Sequence, residues 1–178
     1  MEDERIDLGL VELIRAESVG QPGERTFKIS SVSDRGECVL WLEKEQLFQI
    51  GLAIKQIVAT VSENPNPSAF LAEFPAPVVP GHTEFKASEL RVRHDRDTDV
   101  FTIEAIDPEN ETENDEEEAA AAIQFSFSRR AGDQLADEAL KVVASGRPRC
   151  ELCGAPKNPE GHVCPKTNGH HKGQLELQ

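Results

Sequence analysis

The chain has 178 residues, of which 38% are apolar, and a formal net charge of -14. This length suits one domain, or one domain with a small appendage. Because so acidic a surface repels phosphate backbones, general nucleic-acid binding is not expected. The sequence has no apolar run of about 18 residues and no secretory signal pattern at its start. Three of its four cysteines cluster near the C-terminus, which does not fit an evenly paired disulfide framework. We therefore expect a soluble cytoplasmic protein without a membrane span.

The first half of the chain, about residues 6–63, predicts strands followed by one helix. A mixed apolar pattern favours a strand over Ile6–Val19, and the following Gly-Gln-Pro-Gly sequence at Gly20–Gly23 predicts a turn. Alternating apolar residues predict two more strands, one from Phe27 and one over Cys38–Leu42. Apolar residues then recur every three or four positions, which predicts a helix over Glu43–Val61.

The second half, about residues 84–146, repeats this succession of elements. Strands are predicted over Phe85–His94, Val100–Ile106 and Ala121–Phe127, and a helix over Arg129–Ser145. Eight of the twelve residues in Asp107–Glu118 are acidic, so this segment is predicted to be a solvated loop.

The two halves also match in sequence. A shift of 85 residues places Leu40 on Phe125 and Ile50 on Leu135, and a shift of 74 places Phe27 on Phe101. We therefore predict an α+β fold, in which a duplicated strand-strand-strand-helix unit forms one domain over residues 1–148. Chance similarity is the alternative, since amphipathic helices preceded by strands are common.

A metal site is predicted in the tail, residues 149–178. Cys150 and Cys153 are two residues apart, and Gly154 permits the tight turn of a zinc knuckle. His162 and Cys164 complete the pattern C-x2-C-x8-H-x-C, whose three thiolates and one imidazole suit a tetrahedral zinc ion. Because four protein ligands would close the coordination shell, the zinc is predicted to be structural and to hold together a segment too small to have a core.

Two other interpretations of the tail stay open. His170 or His171 could replace His162 as the fourth ligand, or these histidines could be solvated polar residues. The cysteines could also bind no metal at all.

Other reactive side chains have simpler interpretations. His94–Asp99 contains one histidine and three aspartates, which could serve a metal or acid–base site, but aspartate is common in turns. Arg25 could bind an anion, although it is a single cation. Cys38 lies in a predicted strand and is expected to be a small buried residue.

Four motifs carry a resemblance to a known family. They are V-G-Q-P-G-E-R-T-F at Val19–Phe27, L-E-K-E-Q at Leu42–Gln46, V-V-A-S-G-R-P at Val142–Pro148, and C-x-L-C-G with P-E-G-H-V-C-P and N-G within Cys150–Gly169. Together they resemble a bacterial family, domain-of-unknown-function family 3090, sometimes labelled "repeat protein". The resemblance implies a zinc-binding tail and a bacterial cytoplasmic setting, and it implies no activity. The acidic loop and the His170–His171 pair look like departures from that family.

Three functional hypotheses follow. The sequence favours a non-enzymatic interaction or adaptor protein, whose zinc tail and acidic loop would bind a protein partner, because no catalytic motif is present. The alternative is an enzyme or small-ligand-binding protein with a site between the two halves, near Gly20–Arg25 and His94–Asp99. A third is nucleic-acid binding through the locally basic zinc knuckle, which lacks aromatic residues for stacking.

Overall fold

The computed structural model describes residues 6–72, 81–106, 123–146, 150–155, 157 and 161–166. These residues include eight strands and two helices. In chain order the elements are β1 Ile6–Leu10, β2 Leu13–Val19, β3 Thr26–Ser33, β4 Gly36–Leu42, α1 Lys44–Thr60, β5 Gly81–Lys86, β6 Glu89–Asp95, β7 Val100–Ile106, β8 Ile123–Ser128 and α2 Arg129–Ala144. The predicted mixed α+β class is therefore confirmed.

The strands form two four-stranded sheets. Sheet A has the order β1-β8-β7-β6, and sheet B has the order β2-β3-β4-β5. The first strand of each half thus joins the sheet of the other half, as a parallel neighbour of β8 or β4. The remaining pairs in both sheets are antiparallel. The two sheets have the same strand order when β1–β4 are exchanged with β5–β8.

The predicted three-strand unit is wrong in its strand number, because four strands precede each helix. The strand predicted over Ile6–Val19 is divided into β1 and β2, and the one over Phe85–His94 is divided into β5 and β6. Because of these breaks, β1 can pair in sheet A while β2 pairs in sheet B, and β5 can pair in sheet B while β6 pairs in sheet A. This arrangement is what a duplicated strand-strand-strand-strand-helix unit would produce, and the duplication itself stays a prediction.

The remaining elements agree with the sequence within a few residues. Helix α1 begins after Glu43, whose backbone N–H donates to Oε1 of Gln46 at 2.8 Å in a capping box. Helix α2 begins after Ser128, whose hydroxyl accepts from the N–H of Ala131. The acidic segment Asp107–Glu118 lies outside the described residues.

One hydrophobic core joins both halves. The inner faces of the two sheets and the facing sides of the two helices contribute to a single cluster of buried side chains, among them Leu40, Ile54, Phe101, Phe125 and Leu135. The helices also pack against each other, where Lys55 of α1 lies 2.6 Å from Asp133 and 2.7 Å from Asp137 of α2. Neither helix of the described chain has the length and apolar character needed to cross a membrane.

Candidate metal centre

The predicted knuckle has the local backbone that its sequence requires. The N–H of Gly154 donates to the carbonyl of Cys150 at 2.8 Å, and the N–H of Cys150 donates to the carbonyl of Ala155 at 2.8 Å. Gly154 has a φ of 74°, in the left-handed region that glycine adopts at little cost. The turn brings Cys150 and Cys153 to the same side of the chain, as the C-x2-C spacing predicts.

The second pair of predicted ligands lies against the first. The Sγ atoms of Cys150 and Cys164 are 3.8 Å apart, and Sγ of Cys153 is 3.1 Å from Nε2 of His162. All four ligand atoms lie within 4.8 Å of one another. The cluster could therefore hold a single metal ion.

The distances can be compared with an ideal tetrahedral shell. Zinc–sulfur bonds of about 2.3 Å place two sulfurs about 3.8 Å apart at the tetrahedral angle, which is the separation of Cys150 and Cys164. Zinc–nitrogen bonds of about 2.0–2.1 Å give a sulfur–nitrogen distance of roughly 3.5 Å. Cys153 and His162 would therefore move apart by a few tenths of an ångström to admit the ion.

The thiols are not joined in a disulfide. A covalent sulfur–sulfur bond is about 2.05 Å long, far shorter than the distance between Cys150 and Cys164, and none of the four cysteines, which all lie in the described part of the chain, forms a disulfide. Backbone N–H groups of Cys153 and Leu152 lower the pKa of the Cys150 thiol. The thiolate form, which is the form that binds metals, is therefore favoured.

The other residues that the sequence singles out lie away from this cluster or outside the described residues. Cys38 is buried in β4, as expected, and burial raises the pKa of its thiol to about 12. Arg25 donates to the backbone carbonyl of Ser145 at 2.6 Å, so it caps the end of α2. His170 and His171 lie outside the described residues, and their alternative role as ligands stays a prediction.

The polar segment His94–Asp99 consists of the last two residues of β6 and the turn that leads to β7. Asp95 accepts from the backbone N–H groups of Asp97 and Thr98, which confirms the interpretation of this segment as a turn. His94 and Arg25 line separate cavities among the described residues, so the structure does not bring these two predicted site residues together.

Sequence reasoning missed a cavity of about 540 Å³ on the outer face of sheet A. Its floor consists of polar residues of β7 and β8, namely Thr102, Glu104, Gln124 and Ser126. They alternate with buried apolar residues, so the sequence signals only that they face outward. Nothing in the sequence signals that Glu104, Gln124 and Ser126 are buried.

The family model described as protein of unknown function, DUF3090, matches residues 7–164, which include all four residues of the cluster. Comparison with curated proteins finds no match, and comparison with solved structures finds none either. The match extends over most of the chain, from β1 to the last cysteine of the cluster, and we conclude that the chain belongs to the DUF3090 family of proteins of unknown function.

Proposed function

We propose that this protein binds one structural zinc ion through Cys150, Cys153, His162 and Cys164. The observation that carries the proposal is the convergence of the four ligand atoms within 4.8 Å. Soft thiolate ligands combined with one imidazole favour zinc over magnesium or calcium, which prefer oxygen ligands. Four protein ligands also leave no position for the water that catalytic zinc retains.

The zinc would supply the stability that this segment cannot obtain from a core. The side chains of Leu152 and Val163, which stand beside the ligands, are 55% and 80% exposed. Because the unfolded segment has no complete metal site, the free energy of zinc binding becomes folding free energy.

Metal content per chain tests the zinc proposal. The purified wild type should contain one zinc per chain, and Cys164→Ser and His162→Ala should lose most of it. Cys38→Ala is the matched control, because this cysteine is buried in β4 and should not affect the metal. A His170→Ala/His171→Ala double variant that lost the zinc while His162→Ala kept it would assign the fourth ligand to the tail instead. A wild type without metal after purification under reducing conditions would overturn the proposal.

The zinc-held segment would act as a protein-interaction module. Two exposed apolar side chains, Leu152 and Val163, lie beside ligands that a metal would fix in place, so a bound metal would present both side chains to a partner in a fixed arrangement. Their partner would offer an apolar contact, and acidic residues around it would complement the locally basic zinc knuckle.

A double variant separates this interaction from zinc binding. Leu152→Ser/Val163→Ser should keep one zinc per chain but lose any protein that copurifies with the wild type from its native cells. Leu52→Ser is the control, since Leu52 is also exposed but lies on α1. An interaction that survives the double variant, or no copurifying protein above background, would count against the proposed module.

A further inference from the structure

On the outer face of sheet A, three polar side chains of β7 and β8 are buried. Ser126, Gln124 and Glu104 are only 2%, 6% and 7% exposed. The register of β7 and β8 sets Thr102 beside Ser126 and Glu104 beside Gln124, so the four side chains form one continuous patch. Burying polar groups is costly unless they have hydrogen-bond partners. Here the hydroxyls of Thr102 and Ser126 lie 2.7 Å apart and Glu104 pairs with Arg93 at 3.1 Å, so the patch is a hydrogen-bonded polar surface and not a packing defect.

The outer face of sheet B provides a comparison within the same chain. Its counterpart residues Lys28, Ser30, Val39 and Trp41 are all partly exposed, as is usual for a sheet with one solvated face. Lys28 forms an ordinary surface ion pair with Glu17 at 3.3 Å. Burial of Glu104, Gln124 and Ser126 therefore distinguishes the outer face of sheet A from that of sheet B.

The patch forms the floor of the cavity of about 540 Å³. Arg93 and Asp95 of β6 line one side of the cavity, and Phe70 and Leu71 line another. The segment that carries these two apolar residues is fixed beside the β6–β7 turn, because the N–H of Ser68 donates to the carbonyl of Asp97 at 2.7 Å. The cavity size falls within the range of about 300–1,000 Å³ that small-molecule sites occupy.

The charges of the lining limit the kind of ligand. Nη2 of Arg93 lies 3.1 Å from Oε2 of Glu104, so these two charges compensate each other. Asp95 adds a negative charge, but its Oδ1 already accepts two backbone N–H groups of the turn. An anionic ligand would meet a net negative lining, and an apolar ligand would cover the polar floor without offering it any further hydrogen bond.

We propose that this cavity binds a small, neutral, hydroxyl-rich molecule of the mono- or disaccharide class. The floor offers both donors and acceptors: the amide of Gln124, the carboxylate of Glu104, and the hydroxyls of Thr102 and Ser126, which lie 2.7 Å apart. A ligand hydroxyl can donate and accept at once, so it matches such a mixed floor. Phe70 and Leu71 offer apolar surface to the C–H groups of the ligand.

Chemical-shift mapping on the isotope-labelled full-length protein tests the proposal, with glucose, maltose and trehalose as probes. At least one sugar should bind saturably with a Kd of roughly 1 mM or tighter, and the shifts should centre on the backbone amides of Thr102, Gln124 and Ser126. Glucose 6-phosphate should bind more weakly than glucose, because its charge meets Asp95 and Glu104. Absence of saturable binding by all three sugars would overturn the proposal.

Variants of the floor test whether these side chains make the contacts. Ser126→Ala and Glu104→Gln nearly preserve side-chain volume and should each weaken binding about tenfold, as expected for one buried hydrogen bond. Ser30→Ala on the outer face of sheet B is the matched control and should leave the affinity unchanged. If a floor variant fails to fold, the chemical-shift mapping on the wild type alone decides whether a sugar binds in this cavity. Equal affinity in folded floor variants and the control, or tighter binding of glucose 6-phosphate or of an apolar dye in this cavity, would contradict the assignment.

Discussion

Nε2 of His94, near the end of β6, lies 2.8 Å from Oδ1 of Asp99, at the end of the turn that joins β6 to β7. The same carboxylate accepts the backbone N–H of Asn64 and lies 3.4 Å from the guanidinium of Arg129. Arg129 also donates to the carbonyls of Val58 and Val61 at the end of α1. Asp99 therefore links the β6–β7 turn to the end of one helix and the start of the other.

Replacement of Asp99 should remove a pH-dependent part of the stability. Burial of this carboxyl favours its neutral form, but the N–H of Asn64, together with His94 and Arg129, outweighs burial and lowers its pKa below the usual 3.8. A lowered folded-state pKa contributes stability that is present above the unfolded-state pKa and is lost as pH falls through the folded-state value. Asp99→Asn should therefore cost about 1–3 kcal/mol at neutral pH and less near pH 2. Asparagine tolerates the φ of 54° at this position.

Denaturant unfolding at several pH values between 2 and 7 measures this effect. Asp97→Asn is the control, because Asp97 lies in the same turn but is exposed. Equal losses of stability for Asp99→Asn at pH 7 and near pH 2 would show that the carboxylate charge has no part in the effect.

Gly132 and Gly51 should respond differently to alanine. A Cβ at Gly132 would lie 2.9 Å from Cδ2 of Phe101 and 3.2 Å from Cε2 of Phe127, and both rings are fully buried. Overpacking of this kind costs about 1–3 kcal/mol, which exceeds or cancels the gain of about 1 kcal/mol in helix propensity. Gly132→Ala should therefore be neutral to destabilising, by up to about 2 kcal/mol.

Gly51→Ala provides the comparison, since the new Cβ would meet mainly the side chain of Leu140, at 3.1 Å. Leu140 is only partly buried and can rotate away. The helix-propensity gain should therefore make Gly51→Ala the more stable variant in urea unfolding. The opposite order of the two variants would contradict this account of the packing.

The sequence predicts elements well where one local rule determines them. Strand β7 and helix α2 follow from alternation and from helical periodicity between clear boundaries. The breaks at Val11–Glu12 and Ala87–Ser88 contain no glycine or proline, so their positions depend on pairing with neighbouring strands. The exchange of β1 and β5 between sheets is a long-range pairing that no local pattern encodes.

Of the two candidate sites, the sequence predicts the metal cluster but not the sheet A cavity. The spacing of Cys150, Cys153, His162 and Cys164 predicts their convergence, because metal ligands in one short segment are a local feature. The floor of the sheet A cavity cannot be predicted, because Glu104 and Gln124 resemble the solvated positions of any exposed strand. Their burial depends on which parts of the chain cover the sheet.

Cys38 should behave differently from the three cysteines of the metal cluster. Burial raises its pKa to about 12, and its side chain is 1% exposed, so its reactive thiolate is scarce at pH 8. With bound zinc, a thiol reagent should react slowly with every cysteine of the folded protein. After chelation, three thiols should react rapidly, and the fourth only after denaturant is added. Rapid reaction of four thiols after chelation alone would show that zinc loss exposes β4.

Removal of the proposed zinc ion should unfold the knuckle and leave the main fold intact. Cys150 and Cys164 are buried, but neither belongs to the hydrophobic cluster that joins the two sheets and helices. The single tryptophan, Trp41, lies in β4 and therefore reports on the main fold alone. A chelator should abolish the dispersed amide signals of residues 150–155 and 161–166, whereas the melting temperature from Trp41 fluorescence should change by less than about 2 °C. A large fall in that temperature would mean that the tail and residues 1–148 form one cooperative unit, against the division proposed from the sequence.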